Sequence, residues 1–297
     1  MNQKVALLLD QESNQYQQLL LNEARVRAQR RSLRLQSPQY ANGSAVAQME
    51  QLLGCAKGGD RPDGVVLVPA GRESQLPACR RVVKAGLSLV FLNRVPPYLE
   101  ELRAESRDAL VAAVAPDQVE IGRIQAEQLS QLAPEPGFAL LITGTPSNDS
   151  AIDRRRGFLE AAQGWDVHVL EGEWSAESGY AALRDWFRLG ADRNKRIGAV
   201  VCQNDQMAAG ARRALGERAD ETGATALATI PLLGCDGLPQ EGQRMVSEKA
   251  LAATVIMPPT TGRALDLLAA FWEHGSRADV VLLAPDSHPP LSQIRTA

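Results

Sequence analysis

The chain has 297 residues, more than a single hydrophobic core usually serves, so about two domains are expected. Hydrophobic residues at 44% and charged residues at 23% sit near the globular average, which excludes a disordered, collagen-like or coiled-coil chain. With 32 basic and 35 acidic residues the net charge is −3, too weak a field to hold a polyanion, and direct nucleic-acid binding is not expected.

Short Val/Leu/Ile/Ala runs alternate with longer stretches of helical period, the mark of βα units and a parallel sheet buried on both faces. In chain order the expected strands are residues 5–9, 65–68, 89–92, 110–114, 139–142, 167–170, 199–202, 232–234, 252–256 and 280–283. Helices are expected between them, among others over 15–30, 45–55, 118–132, 151–163, 206–215 and 261–274. From Gln118 onward, Val119, Ile121, Ile124, Ala126 and Leu129 keep helical spacing while Glu120, Arg123 and Glu127 face out. Ten strands are many for one doubly wound sheet, so the class is α/β with two sheets. The stretches 95–107 and 133–137, each with two prolines, read as surface connections. No repeat, low-complexity tract or flexible linker is visible, which points to lobes joined by several short crossings.

The longest apolar runs, such as 5–9 and 280–284, fall far short of the roughly 20 residues that span a bilayer. The amino terminus meets Asp10 too early for a signal-peptide core, so the expectation is either a cytosolic chain or one whose leader has been removed. Cys55, Cys79, Cys202 and Cys235 show no Cys-x-x-Cys spacing and read as small buried hydrophobes.

In open α/β sheets ligands bind beyond the carboxyl ends of the strands, and here those positions are strongly polar. Asp10, Asn14 and Tyr16 follow the first strand, and Asn93 and Arg94 follow 89–92. Gln203, Asn204 and Asp205 follow 199–202, and Asp236 follows 232–234. Arg154 opens a helix after 139–142, and Trp174 follows 167–170. Sugar hydroxyls both donate and accept, so carboxylates, guanidinium forks and amides suit them, while Trp174 and Tyr16 offer walls for the C–H face of a ring. Two acids, Asp10 and Asp236, against two bases, Arg94 and Arg154, suit an uncharged polyol better than a phosphate.

Residues 201 to 215, Val-Cys-Gln-Asn-Asp-Gln-Met-Ala-Ala-Gly-Ala-Arg-Arg-Ala-Leu, resemble a segment that periplasmic sugar-binding proteins of the ribose/galactose type share with LacI-type effector domains. Four further segments do so in register: 90–94 with Asn93-Arg94; Ala115-Pro116-Asp117 followed by Ile121-Gly122; 151–158 with Arg154 ahead of Gly157-Phe158; and 233–237 followed by 251–255. The resemblance implies two Rossmann-like lobes, each a parallel sheet flanked by helices, joined by three hinge crossings and closing on a ligand between them. The lobes are expected at 1–116 with 258–283 and at 117–257 with 284–297, with hinges near 115–117, 234–237 and 257–258. By position it marks Asp10, Asn14, Tyr16, Asn93, Arg94, Arg154, Trp174, Asn204 and Asp236 as ligand contacts. Gln17 stands where ribose-type proteins often have a second aromatic, Asn93 where aspartate is usual and Met257 where a glutamine often bonds the ligand, which weakens the case for ribose itself.

Each candidate has a plainer reading. Asn204 and Asp205 precede a helix, and we read Asn204 as a ligand contact and Asp205 as the helix cap. Asp236 before Gly237 has the look of a turn acid, yet its place in the family pattern makes it a contact. In the Arg-Arg-Arg run the offset to Gly157-Phe158 singles out Arg154, leaving Arg155 and Arg156 at the surface. Trp174 sits among loop residues in an aromatic-poor chain, which favours the ligand over the core.

His168, His274 and His288 are scattered, and no phosphate-cradling or nucleophile-elbow motif is present, so neither catalysis nor a metal or other cofactor is expected. Two functional classes remain. One is an extracytoplasmic receptor that passes a monosaccharide or related polyol to an ABC-type permease, or presents its closed form to a sensor. The other is a cytoplasmic ligand-sensing domain of a LacI-type regulator without its DNA-binding headpiece. The receptor, periplasmic and with its leader removed, is the favoured reading.

Overall fold

The computed structural model describes residues 2–57, 59–70, 73–106, 108–133, 135–190 and 196–294. The chain divides into two compact units, the first Met1–Pro116 with Pro258–Leu283 and the second Asp117–Met257 with Ala284–Ala297. In chain order the first unit begins with β1 (Lys4–Leu9), α1 (Gln15–Arg30), β2 (Arg34–Leu35), β3 (Gln39–Tyr40), α2 (Ala45–Lys57) and β4 (Gly64–Leu67). It continues through α3 (Leu76–Lys84), β5 (Ser88–Leu92), α4 (Leu99–Glu105) and β6 (Val111–Pro116). The second unit follows with α5 (Gln118–Leu132), β7 (Phe138–Thr143), α6 (Asp149–Ala161), β8 (Asp166–Glu171), α7 (Ala176–Arg188) and β9 (Ile197–Cys202). After these come α8 (Asp205–Thr222), β10 (Leu232–Asp236), α9 (Arg244–Ser247) and β11 (Ala253–Ile256). The chain then returns to the first unit for α10 (Thr261–His274) and β12 (Val280–Leu283), and to the second for β13 (Asp286–His288).

The class is α/β, as the alternating pattern indicated. The first sheet runs β12-β6-β5-β4-β1-β2 with β3 also on β1, and every pairing is parallel. The second runs β13-β11-β10-β9-β7-β8, parallel except for β13 on β11. Central strands are apolar along their whole length because helices cover both faces. In the second unit the period of two separates two cores. Leu140, Ile142, Val200 and Cys202 pack with Leu183, Trp186 and Leu215 of α7 and α8. Ala139, Leu141, Ala199 and Val201 pack with Leu129 and Phe158 of α5 and α6. In the first unit Leu8, Val65, Leu89 and Phe91 pack with Leu52, Val82 and Leu102, while α1 and α10 pack together.

Close approach of α5 to α6 rests on two glycines. A Cβ on Gly122 would lie 2.1 Å from the Arg154 carbonyl oxygen, and one on Gly157 would lie 2.0 Å from that of Val119. The two backbones therefore touch, and the turn of α6 that carries Arg154 is fixed against α5.

Two expectations need correction. The stretch 95–107 is not only connection: Leu99 and Leu102 are buried, and their spacing of three makes α4 the cover of Phe91 and Tyr98; Arg107 lies outside the described residues. Pro134 also lies outside them, and the rest of 133–137 links α5 to β7. The crossing near Gly234–Gly237 does not exist, because both ends of β10 stay within the second unit. The third passage follows Leu283, since β12 pairs with β6 whereas β13, three residues on, pairs with β11. All four cysteines are free and buried. Among the described residues no helix is long and apolar enough to cross a membrane.

Candidate functional site

In the first unit the candidates stand at the carboxyl ends of β1 and β5. Asp10 Oδ1 accepts from the Gly43 N–H at 2.8 Å, and Asn14 caps α1 by accepting from Gln17 N at 3.0 Å. Gln17 in turn accepts through Oε1 from the N–H groups of Asp10 (2.6 Å) and Gln11 (3.2 Å), which fixes the loop after β1. Tyr16 is 7% exposed and donates its hydroxyl to the Pro258 carbonyl at 3.0 Å. Asn93 accepts from the Thr260 hydroxyl at 2.9 Å, and Arg94 donates to the Pro69 carbonyl. The 258–260 segment thus gathers the ends of β1 and β5, with Tyr16 on one side and Asn93 on the other. Thr260 has no periodic or motif signal and was not singled out in the sequence.

In the second unit four candidates cluster. Arg154 is 4% exposed, whereas Arg155 and Arg156 face solvent and Arg156 pairs with Asp153. The Arg154 guanidinium donates from Nε to Gln118 Oε1 at 2.7 Å, from Nη1 to the Gln203 carbonyl and from Nη2 to Met257 Sδ at 2.8 Å. Its central carbon lies 5.5 Å from the centroid of the Trp174 ring. Trp174 accepts at its carbonyl from Asn204 Nδ2 at 2.8 Å, and its ring rests on Gly144, where a Cβ would come within 2.0 Å. Asn204 therefore links Arg154's aromatic neighbour to α8, and it also caps that helix by accepting from Met207 N at 2.9 Å.

The cap assignment between Asn204 and Asp205 is thus reversed. Asp205 is 1% exposed and turns into the sheet, where it accepts from the Thr254 hydroxyl at 2.7 Å and from Gly237 N at 2.8 Å. Gly234 and Gly242 leave room for it, since a Cβ on either would lie 2.1 Å from a carboxyl oxygen. Burial raises the Asp205 carboxyl well above its ordinary value, with the charge of Asp236 adding to the rise. Its role is to brace the turn that presents Asp236. Gln203 is a second brace, accepting from Gly144 N and donating to the Ala151 carbonyl, both at 2.9 Å. Both residues lie in the 201–215 segment, whose resemblance marks the neighbourhood without showing which side chain turns inward.

Asn93, Trp174 and Asp236 have φ of +67°, +66° and +98°, three of the six non-glycine residues with positive φ among those described. Asn and Asp enter this region readily, but it is disfavoured for an indole side chain, and at Trp174 it persists only where surroundings enforce it. The Asp236 carboxyl is raised to about 7, by burial first; Arg154 pulls it back and Glu241 pushes it further. Among the described residues no cluster of three His, Cys, Asp or Glu is placed to hold a metal ion.

A family model described as periplasmic binding protein domain matches residues 5–273. A putative rhizopine-binding protein of Rhizobium meliloti is 26% identical over 159 residues, 52% of this chain and 48% of the relative. The ribose import binding protein RbsB of Escherichia coli is 26% identical over 166 residues, 55% of this chain and 52% of the relative. The chain thus spans about half the length of these relatives in the matched regions. A solved periplasmic solute-binding protein of an ABC transporter from Actinobacillus succinogenes, with D-allose bound, superposes with a TM-score of 0.81 at 20% identity over 96% of both chains, a likeness of fold. With a family model matched from the first strand to the last turns of α10, the chain belongs to the periplasmic binding protein domain family.

Proposed function

We propose that the chain reversibly binds a small sugar-like solute, a monosaccharide or related polyol, as the solute-binding component of an ABC-type transporter or a sensory receptor outside the cytoplasm. The observation that carries this reading is Arg154: a buried guanidinium with no ion-pair partner among the described residues, held by an amide oxygen, a carbonyl and a thioether. Three of its five N–H groups are committed, which leaves two for neutral oxygens of a ligand. Asp236 beside it supplies an acceptor, Asn204 keeps one amide N–H uncommitted, and the half-buried Trp174 ring offers apolar surface to the C–H face of a sugar. In the first unit Asp10, Asn14, Tyr16, Asn93 and Arg94 are the proposed contacts. The ligand is held and released unchanged, and a membrane permease or sensor is the proposed partner. Relatives named for rhizopine and ribose binding support this class of solute.

A thermal-shift screen of pentoses, hexoses and polyols, with D-ribose and D-allose among them, tests the reading. At least one is expected to stabilise the protein saturably, because a ligand bound only to the folded state raises its stability by mass action. A flat screen at millimolar concentrations would overturn it.

A further inference from the structure

We propose that ligand capture is a proton exchange at Asp236: the carboxyl releases a proton to solvent as it takes up the ligand's hydroxyls. The inference rests on the sugar-binding reading above and adds a coupling to it.

The geometry sets Asp236 apart from Asp10 and Asp205, the other aspartates at the strand ends, both of which accept hydrogen bonds. It ends β10 at a φ of +98°, held there by Asp205, which accepts from the N–H of the next residue, Gly237. Among the described residues no donor bonds the Asp236 carboxyl, although Asp205 beside it has both oxygens engaged. The titratable and charged groups around it come from several elements: Arg154 from α6, Asp205 from α8, Glu241 from the helical turn Pro239–Gln243, and Cys235 on its own strand. β9 adds only the buried Cys202. The polar side chains packed against β10 from β11 and α5, Thr254 and Gln125, do not titrate.

Glu241 opposes ionisation and Arg154 favours it at a part-buried carboxyl that no described donor bonds, and burial without such bonds is what favours the protonated form. The position of its titration, about 7, agrees with this. A polyol changes the balance, because hydroxyls donate to the ionised form and favour it. No such gain is available to the protonated form, which has one acceptor oxygen fewer to offer and must donate instead. Binding and ionisation then reinforce each other, and one proton leaves for each ligand captured below the titration midpoint.

The test is calorimetry of the tightest binder among D-ribose, D-allose and myo-inositol, between pH 5 and pH 8, in buffers of unlike ionisation enthalpy. The dissociation constant is expected to be nearly flat above pH 7.5 and about tenfold weaker at pH 6 than at pH 8, with close to one proton released at pH 6. Glu241→Gln, which removes the carboxylate charge that opposes ionisation, is expected to bind as the wild type does at pH 8 and to move the midpoint to lower pH. Asp236→Asn is expected to lose proton release altogether. Binding that is equal at pH 6 and pH 8 in folded protein, or proton release that survives in Asp236→Asn, would overturn the exchange while leaving the sugar reading intact. Absence of binding by all three probes at pH 8 would instead overturn the sugar reading, and the exchange with it.

Discussion

Nη2 of Arg154 lies 2.8 Å from Sδ of Met257, so a buried charged donor spends one of its N–H groups on a thioether, among the weakest acceptors a side chain offers. The two residues meet because Met257 directly follows β11 while Arg154 projects from α6 towards the ends of the strands. Met257→Gln places an amide oxygen on a side chain of similar length, and a hydrogen bond to a charged group is worth about 1.5–3 kcal/mol net. The variant is expected to unfold at higher urea concentration by about 1 kcal/mol or more. An unchanged or lower midpoint would show that Arg154 gains nothing from a better acceptor.

Asp236 also makes stability depend on pH. The folded state holds its proton up to about pH 7, whereas the unfolded chain releases it near 4. The group therefore favours the fold fully below pH ~4, and that contribution is lost as pH rises through about 7. Asp236→Asn, which has no charge to bury, is expected to match the wild type near pH 4 and exceed it at pH 8 by about 2–4 kcal/mol. Equal stability at pH 8, measured by chemical denaturation, would contradict the burial of this carboxylate.

The backbone contact of α5 with α6 gives a paired test. Gly122→Ala forces a Cβ to 2.1 Å from the Arg154 carbonyl, and overpacking of this kind costs about 1–3 kcal/mol or more. Gly216→Ala, also in a helix, meets nothing within 4 Å and is expected to stabilise by about 0.5–1 kcal/mol. Thermal melts of the two variants should move in opposite directions, and a silent Gly122→Ala would mean that the helices are not held this closely.

Much of the architecture was legible because buried parallel strands are continuous apolar runs: all ten expected strands correspond to strands in the fold, with no end shifted by more than two residues. The strands that escaped notice, β2, β3 and β13, have two or three residues each and are mostly polar; their pairing comes from neighbours, not from their own pattern. At the candidate site, strand ends were legible through the rule that ligands bind beyond them. What lay hidden was the division of labour there. Gln203 and Asn204 are adjacent polar residues after β9, yet one ties β7 to α6 and the other caps α8. Asp205 reads as a helix cap until Gly234 and Gly242, distant in sequence, are seen to make room for it. Such roles depend on contacts between residues tens of positions apart, which no local period records.

Trp174 should contribute to binding through its ring. Trp174→Ala is expected to weaken saccharide binding by about 1–3 kcal/mol through lost stacking. Because the half-buried ring also packs against the core under α7 and α8, the variant is expected to melt lower as well, and binding is compared at a temperature where both proteins are folded. Arg156→Ala, a solvent-facing arginine two residues along the same helix and paired with Asp153, serves as the control and should leave binding unchanged. Equal affinity in Trp174→Ala and the wild type would remove the ring from the ligand's surroundings.

Arg154 and Asp236 are expected to hold the ligand between them, and calorimetry of the best saccharide from the screen on Arg154→Ala and Asp236→Ala at pH 8 decides it. Truncating either partner leaves buried polar groups unpaired, at about 2–4 kcal/mol of binding, so each variant should bind roughly tens- to several-hundred-fold more weakly than the wild type. A saccharide that binds both variants with wild-type affinity would contradict the assignment and place its site elsewhere in the protein.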